Sequence, residues 1–100
     1  MLYSAHMKLG TCDHKGLEAF ITERSIRGID ARNEKRISRA LSTLLDAATL
    51  DDVSVFPGWH FHELKGARAG TYSMRITGNL RLTFTVNDDT ANNLNLEDYH

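Results

Sequence analysis

The side chains in this sequence that could perform acid/base or phosphate chemistry are concentrated in its second half. They are His60, His62, Lys65, Arg75, Arg81, Asp98, Tyr99 and His100. No serine or cysteine stands in a recognisable nucleophile setting. RNA carries its own nucleophile in the ribose 2'-OH, so cleaving it requires a base for that proton, an acid for the leaving 5'-oxygen and cations for the phosphorane. Two histidines, or a histidine and an acid, together with an arginine would suffice without a metal.

A metal site is the competing interpretation of the two central histidines. On a strand, His60 and His62 would place both rings on one side, a spacing that metal sites use. Only His100, Asp98 or Glu63 could complete the ligand set. We therefore expect no metal and no cofactor.

Length and composition predict a single globular domain. The chain has 100 residues, of which 41% are hydrophobic and 25% charged, and its formal net charge is -1. Bulk charge thus gives no support to nucleic-acid binding. One cysteine, Cys12, and no secretory or membrane-spanning pattern indicate a cytoplasmic protein without membrane contact. Residues 1–6 are interpreted as a cloning remnant or unstructured start, and residues 7–100 as the domain.

Two helices are predicted in the first half of the chain. Asp13 is the expected N-cap of the first, which we expect to end near Gly28, and Asp30 is the expected N-cap of the second. The apolar positions of the first helix are Leu17, Phe20 and Ile21, and those of the second are Ile37, Leu41, Leu44, Leu45 and Ala48. Both sets follow helical spacing, so each helix should bury one face.

The second helix also carries a basic face. Arg32, Arg36 and Arg39 follow helical spacing, and Lys35 is adjacent. The simpler interpretation is a solvated surface. The functional interpretation is a contact with RNA phosphates, the ribosome or a protein partner.

Alternating strands follow the only proline, Pro57. A three-residue loop, 77–79, pairs Ile76 with Leu80 and leaves the apolar residues of both strands on one face. Gly78 or Asn79 is expected to supply the positive φ that such a loop needs. On the other face Arg75 lies opposite Arg81, a repulsive pair unless Glu97 or a phosphate lies nearby.

The last strand carries Leu94 and Leu96 towards the core, so Tyr99 should share the arginine face. Asp98 and His100 have the opposite parity and reach that face only if the chain bends near Asp98. The predicted fold is α+β, with two N-terminal helices packed on an antiparallel sheet of about four to five strands.

Four segments in this order resemble a known family. "HKGLEAF" opens a helix, "PGWHFHELKG" lies mid-chain, "GTYSMRITGNLRLTF" forms the hairpin and "DYH" ends the chain. Together they resemble the HigB toxins, the plasmid-maintenance killer branch of the RelE superfamily. The resemblance runs from about His14 to His100.

The resemblance implies a ribosome-dependent mRNA endonuclease that cleaves messages in the A site of the 30S subunit and stops translation. It also implies neutralisation by a HigA-type helix-turn-helix antitoxin, through which alone operator DNA would be contacted. The matched positions are His62, Lys65, Arg81, Asp98, Tyr99 and His100.

The roles that the resemblance implies follow the needs of the reaction. His62 and His100 would be the acid/base pair with Asp98 assisting, Arg81 and Lys65 would hold the phosphate, and Tyr99 would orient or stack on a nucleotide. Arg75 matches no fixed family position, and its phosphate contact is inferred from the hairpin register alone. The alternative is a RelE-fold protein without cleavage activity that acts by antitoxin binding and transcriptional autoregulation, and a third possibility is a ribonuclease independent of ribosomes.

Overall fold

A computed structural model describes residues 6–98, in which helices cover one face of a five-stranded sheet. The strands are β1 (Lys8–Leu9), β2 (His62–Glu63), β3 (Thr71–Arg75), β4 (Leu80–Asn87) and β5 (Thr90–Asp98). The helices are α1 (Lys15–Glu23), α2 (Glu34–Asp46) and α3 (Leu50–Ser54). Residues 1–5, Tyr99 and His100 lie outside the described residues.

The first helix differs from its prediction at both ends. His14, not Asp13, is the N-cap, and its ring Nδ1 accepts a hydrogen bond from the Leu17 N–H at 3.0 Å. Asp13 instead lies beside Asn93, whose amide is 3.4 Å from its carboxylate. The helix ends at Glu23 because Arg24 turns left-handed with φ 57°.

The second helix begins later than predicted, with Asn33 rather than Asp30 as its N-cap. Asp30 caps a short 3₁₀ turn, Ala31–Asn33, that leads directly into α2. The buried residues of α2 are Ile37, Ala40, Leu41 and Leu44. Leu45 and Ala48, both predicted to be in the apolar stripe, are exposed.

A short third helix was not predicted. It begins with a capping box in which the side chains of Thr49 and Asp52 each accept a hydrogen bond from the other's backbone N–H. Helix α3 buries Val53 and connects α2 to the turn at Pro57–Trp59.

The strand order is β1-β5-β4-β3-β2. Strands β2 to β5 are antiparallel, as predicted, whereas β1 runs parallel to β5 with Lys8 opposite Thr90 and Leu9 opposite Ala91. The α+β prediction with five strands is therefore confirmed, but the sheet is mixed. Parallel pairing is possible here because the two strands come from opposite ends of the chain and are not joined by a hairpin.

The predicted hairpin register is confirmed. Met74 lies opposite Leu82 and Tyr72 opposite Phe84, and the Ile76 N–H donates to the Leu80 carbonyl at 2.8 Å. The predicted positive φ at Gly78 or Asn79 is wrong. The loop is held instead by the Thr77 hydroxyl oxygen, which accepts from the Leu80 N–H at 3.0 Å and from the Asn79 N–H at 3.3 Å.

The two faces of the sheet have different environments. One face contributes Met74, Leu82 and Phe84 to a core that they share with buried helix residues such as Leu17 and Ile37. No helix within residues 6–98 is long and apolar enough to cross a membrane. The opposite face carries the polar residues of alternate parity and is where the candidate site lies.

Candidate active site

A groove of about 340 Å³ lies on the polar face of the sheet. It is lined by His62, Leu64, Lys65, Arg68, Ser73, Arg81, Thr83, Glu97 and Asp98. Four of the site residues predicted from sequence, His62, Lys65, Arg81 and Asp98, are thus brought together. They come from β2, the loop after it, β4 and the end of β5.

Strand pairing explains why the groove is polar. Arg81 and Thr83 flank Leu82 on β4, so their side chains point away from the core when that of Leu82 points into it. The neighbouring positions on β5 follow the same rule: Glu97 lies opposite Arg81 and Asn95 opposite Thr83.

An ion pair spans the groove between the β2–β3 loop and β5. The guanidinium of Arg68 donates two hydrogen bonds to the Glu97 carboxylate, at 2.7 and 2.8 Å. The Thr83 hydroxyl also donates to that carboxylate. The Arg68 hydrogen bonds, aided by Thr83, hold the pKa of Glu97 below its usual value even though burial opposes the shift. Glu97 is therefore a charged acceptor at neutral pH.

Arg81 lies half-buried at one end of this groove. Its guanidinium donates to the Thr77 carbonyl at 3.2 Å, and its backbone pairs with Arg75 on one side and Glu97 on the other. Glu97, the carboxylate proposed from the sequence as a neutralising partner for the arginines, binds Arg68.

His62 presents an exposed ring at the start of β2. Its Nδ1 is 2.8 Å from the backbone carbonyl of His60. Because a carbonyl can only accept, this contact places a proton on Nδ1 and leaves Nε2 of the neutral ring as the basic nitrogen. A ring fixed in this tautomer suits a general base.

The loop that follows β2 carries Lys65 into the groove. Gly66 and Gly70 adopt φ of 69° and 93°, values that favour glycine, and the Glu63 carboxylate accepts from the Gly70 N–H at 2.9 Å. The loop is thus closed on itself. Lys65 is exposed and lies at its start.

Asp98 is the last described residue of the C-terminal strand. It is exposed, lies opposite Leu80 in the sheet, and lines both the groove and a cavity beside His14 and Asp30. Strand β5 continues without interruption through Asp98. Tyr99, His100 and any bend beyond Asp98 fall outside the described residues, so their place in the site stays a prediction.

Arg75 and His60 lie outside the groove lining. Arg75 is at the hairpin end, where its guanidinium is 3.4 Å from both the Thr77 carbonyl and His60 Nε2. His60 ends the turn at Pro57–Trp59 with φ 45° and precedes β2. It is therefore not on the same strand as His62, as the expected alignment of their two rings would require. Within residues 6–98, no group of three or more His, Cys, Asp or Glu side chains could hold a metal ion.

The basic face of α2 is less uniform than its spacing suggests. Arg32 forms an ion pair with Asp30 at 2.8 Å, and its hydrogen bonds lower the pKa of that carboxyl to about 2. Arg36 donates a short hydrogen bond to the Ile76 carbonyl. Lys35 and Arg39 are exposed.

Arg68 is a charged residue of the groove that the sequence did not predict. It lies in an irregular "KGARAG" segment, where periodicity gives no side-chain direction. Its partner Glu97 is 29 positions away along the chain. The available indication was the outward parity of Glu97, which called for a cation on the same face.

The groove combines groups suited to phosphodiester cleavage. Lys65 and Arg81 supply positive charge, and His62 supplies a ring nitrogen able to accept a proton. Asp98, the last described residue, adds a carboxylate to the lining of the groove.

Comparison with known proteins gives consistent matches across almost the whole chain. Residues 11–100 match the HigB-like toxin family, described as RelE-like toxin of type II toxin-antitoxin system HigB. The chain is similar to the endoribonuclease HigB of Proteus vulgaris, with 32% identity over 87% of this chain and 94% of that protein.

Solved structures share the fold. The chain resembles a chain of the heterotetrameric YoeB-YefM toxin-antitoxin complex from Staphylococcus aureus, with a TM-score of 0.62, 23% identity, and coverage of 96% of this chain and 99% of that one. It also resembles YafQ from E. coli, with a TM-score of 0.55, 12% identity and 93% coverage of both chains.

Proposed function

Because the chain belongs to the HigB-like toxin family of type II toxin-antitoxin systems, we propose that it is an endoribonuclease that cleaves mRNA in the ribosomal A site and thereby inhibits translation. The observation that carries this proposal is the groove in which His62, Lys65 and Arg81 meet the end of β5. The similarity to a protein named endoribonuclease HigB supports the activity. Action on translating ribosomes would place the toxin in the cytoplasm.

The proposed reaction uses the RNA as its own nucleophile. One imidazole of the pair His62 and His100 removes the 2'-OH proton, the oxygen attacks the adjacent phosphorus, and the other imidazole protonates the departing 5'-oxygen. The products are a 2',3'-cyclic phosphate and a 5'-hydroxyl. His62 is favoured as the base because its Nδ1 is engaged by the His60 carbonyl and Nε2 is left to accept the proton.

Charge stabilisation is assigned to cations of the groove. Arg81 and Lys65 hold the non-bridging oxygens of the phosphorane, and a single preorganised donor of this kind is worth about 10²- to 10³-fold in rate. Asp98 assists the histidine pair, and Tyr99 orients or stacks on a nucleotide. No metal or cofactor takes part in this scheme.

The proposed partner is a HigA-type helix-turn-helix antitoxin that would carry all contact with operator DNA. The S. aureus relative was solved as a toxin-antitoxin complex, which supports an antitoxin partner for this fold. The exposed cations Lys35 and Arg39, with Arg32 and Arg36, are proposed contacts for the antitoxin or the ribosome.

Primer extension of a reporter message in a translating extract tests the proposal. The parent should create new message ends within codons, and His62→Ala should create none while remaining folded by circular dichroism. Translation arrest without new ends would instead support a protein that acts by binding and autoregulation. Cuts in naked RNA would reject the dependence on ribosomes.

A further inference from the structure

Three arginines converge on the tip of the β3–β4 hairpin. Arg36 of α2 donates to the Ile76 carbonyl, and Arg75 and Arg81 both donate to the next carbonyl, that of Thr77, at 3.4 and 3.2 Å. Arg75 and Arg81 are also direct neighbours across the hairpin. Three guanidinium groups therefore gather around two consecutive peptide carbonyls.

Two of these arginines, Arg36 and Arg75, have no carboxylate partner among the described residues. Peptide carbonyls offer partial negative charge only, so they do not neutralise these two guanidinium groups. An anion bound between Arg36 and Arg75 would do so.

A cavity of about 360 Å³ lies at this point. It is lined by Arg36, Gly58, Arg75, Thr77 and Gly78, and no carboxylate of residues 6–98 lines it. A Cβ built at Gly58 would meet nothing within 4 Å, and one at Gly78 would meet only the Arg75 guanidinium, at 3.9 Å. The mouth of the cavity is thus open enough for the backbone of a ligand to approach the arginines closely.

A histidine also contacts one of these arginines. His60 Nε2 lies 3.4 Å from an Arg75 guanidinium nitrogen. An imidazole carries no negative charge, so this contact leaves the positive charge of Arg75 in place.

We propose that this cavity is a second phosphate site that holds a phosphodiester of RNA beyond the one cleaved in the groove. The inference rests on the proposed function, because Arg81 connects the two places: it lines the groove and donates to the same Thr77 carbonyl as Arg75. Arginine forks match the paired oxygens of a phosphate. The phosphate belongs either to the message or to ribosomal RNA.

The salt dependence of binding tests this site without requiring cleavage. The logarithm of the binding constant is measured against that of KCl concentration for two ligands: a single-stranded RNA with a 2'-O-methyl group at the cut position, and 30S subunits without message. Each phosphate contact contributes about 0.7 to the slope for single-stranded RNA. The variants are Arg75→Gln, Arg36→Gln and Arg75→Lys.

We expect Arg75→Gln and Arg36→Gln each to reduce the slope by about 0.7, and Arg75→Lys to retain it. The matched control is Arg24→Gln, which removes the same charge beside Phe20 and Leu45, at the groove between α1 and α2.

The two ligands distinguish the source of the phosphate. A reduced slope with the free RNA identifies a message phosphate, and a reduced slope only with 30S subunits identifies a ribosomal phosphate. If Arg36→Gln unfolds, Arg75→Gln decides, because the bonds that Arg75 forms among the described residues are to its own hairpin and to His60.

Parental slopes for Arg75→Gln with both ligands would overturn the second site, as would an equal reduction in Arg24→Gln or a parent that binds neither ligand. Message cleavage by the parent on ribosomes is scored separately. Cleavage with unchanged slopes would reject the second site alone, whereas slope changes without cleavage would reject the proposed reaction alone.

Discussion

Glu97 is the carboxylate around which the polar face of the sheet is organised. It accepts from Arg68 of the β2–β3 loop and from Thr83 of the adjacent strand. The pair thereby ties the loop that carries Lys65 to the strand that ends at Asp98. One ion pair thus aligns two parts of the groove.

Glu97→Gln should lower stability in a way that depends on pH. Arg68 lowers the pKa of Glu97 in the folded state below its ordinary value of 4.5, so the charged pair stabilises the fold above that pH and the stabilisation is lost as pH falls through the folded-state pKa. We expect a loss of about 0.5–1 kcal/mol at pH 7, limited by solvent screening of the half-exposed Arg68.

Urea denaturation at pH 7 and at pH 3 measures this effect. The difference between Glu97→Gln and the parent should be present at pH 7 and shrink at pH 3. Glu23→Gln is the control, since Glu23 is exposed at the end of α1 and forms no ion pair within the described residues. An equal difference at both pH values would contradict the assignment.

Arg81→Gln should lower the cleavage rate about 10²- to 10³-fold. The guanidinium lies in the groove and is the cation proposed to stabilise the phosphorane, and losing one such donor typically costs this much. Single-turnover cleavage on message-programmed ribosomes measures it. The rate of Arg81→Lys should lie between that of Arg81→Gln and that of the parent. A rate for Arg81→Gln equal to that of the Arg24→Gln control would contradict the proposed role of Arg81 in stabilising the phosphorane.

At the scale of elements, side-chain alternation predicted the pairing of the hairpin strands, whereas the local chemistry of loops and caps was predicted wrongly. The hairpin register followed from the requirement that Met74 and Leu82 share one face. The conformation of its loop did not, because the Thr77 hydroxyl oxygen stabilises a turn without positive φ. The cap of α1 was missed for a similar reason: a histidine ring nitrogen at His14 takes the role that sequence statistics assign to aspartate.

The start of α1 packs closely against the connection to α2. A Cβ added at Gly16 would lie 2.1 Å from the Gly28 carbonyl oxygen, and one added at Gly28 would lie 2.4 Å from the Gly16 Cα. Backbone touches backbone here, so neither partner can move aside as a side chain can. This contact sets the path of residues 25–30 beside the second cavity that Asp98 lines.

Gly16→Ala should therefore destabilise the protein by about 2 kcal/mol or more, as overpacking against backbone does. Gly58→Ala is the matched control: its Cβ would meet nothing within 4 Å and its φ is not positive, so we expect a change within about 0.5 kcal/mol. Denaturation midpoints of the two variants measure the difference. Equal stabilities would show that the close approach is absent in solution.

At the scale of the molecule, one face of the sheet forms the hydrophobic core and the other carries the candidate site. Its helix-facing side buries Met74, Leu82 and Phe84, and its other side carries the groove. Family motifs and strand parity were sufficient to predict His62, Lys65 and Arg81 as neighbours. They could not predict the Arg68 contact with Glu97, since a loop without periodicity gives no direction to its side chains.

The parallel strand β1 illustrates the same limit. Two residues, Lys8 and Leu9, pair with the far end of the chain, and so short a segment carries no alternation that could reveal its partner. The pairing places β1 at the edge of the sheet opposite β2. The C-terminal strand β5 is thereby held between two neighbours at Thr90 and Ala91, and it pairs with β4 as far as Asp98.

The pH dependence of single-turnover mRNA cleavage on programmed ribosomes tests most directly whether two imidazoles share the reaction. We expect a bell-shaped profile for the parent, loss of one limb in His62→Ala and loss of the other in His100→Ala, with both rates strongly reduced. Parental rates and an intact bell in both variants would contradict it.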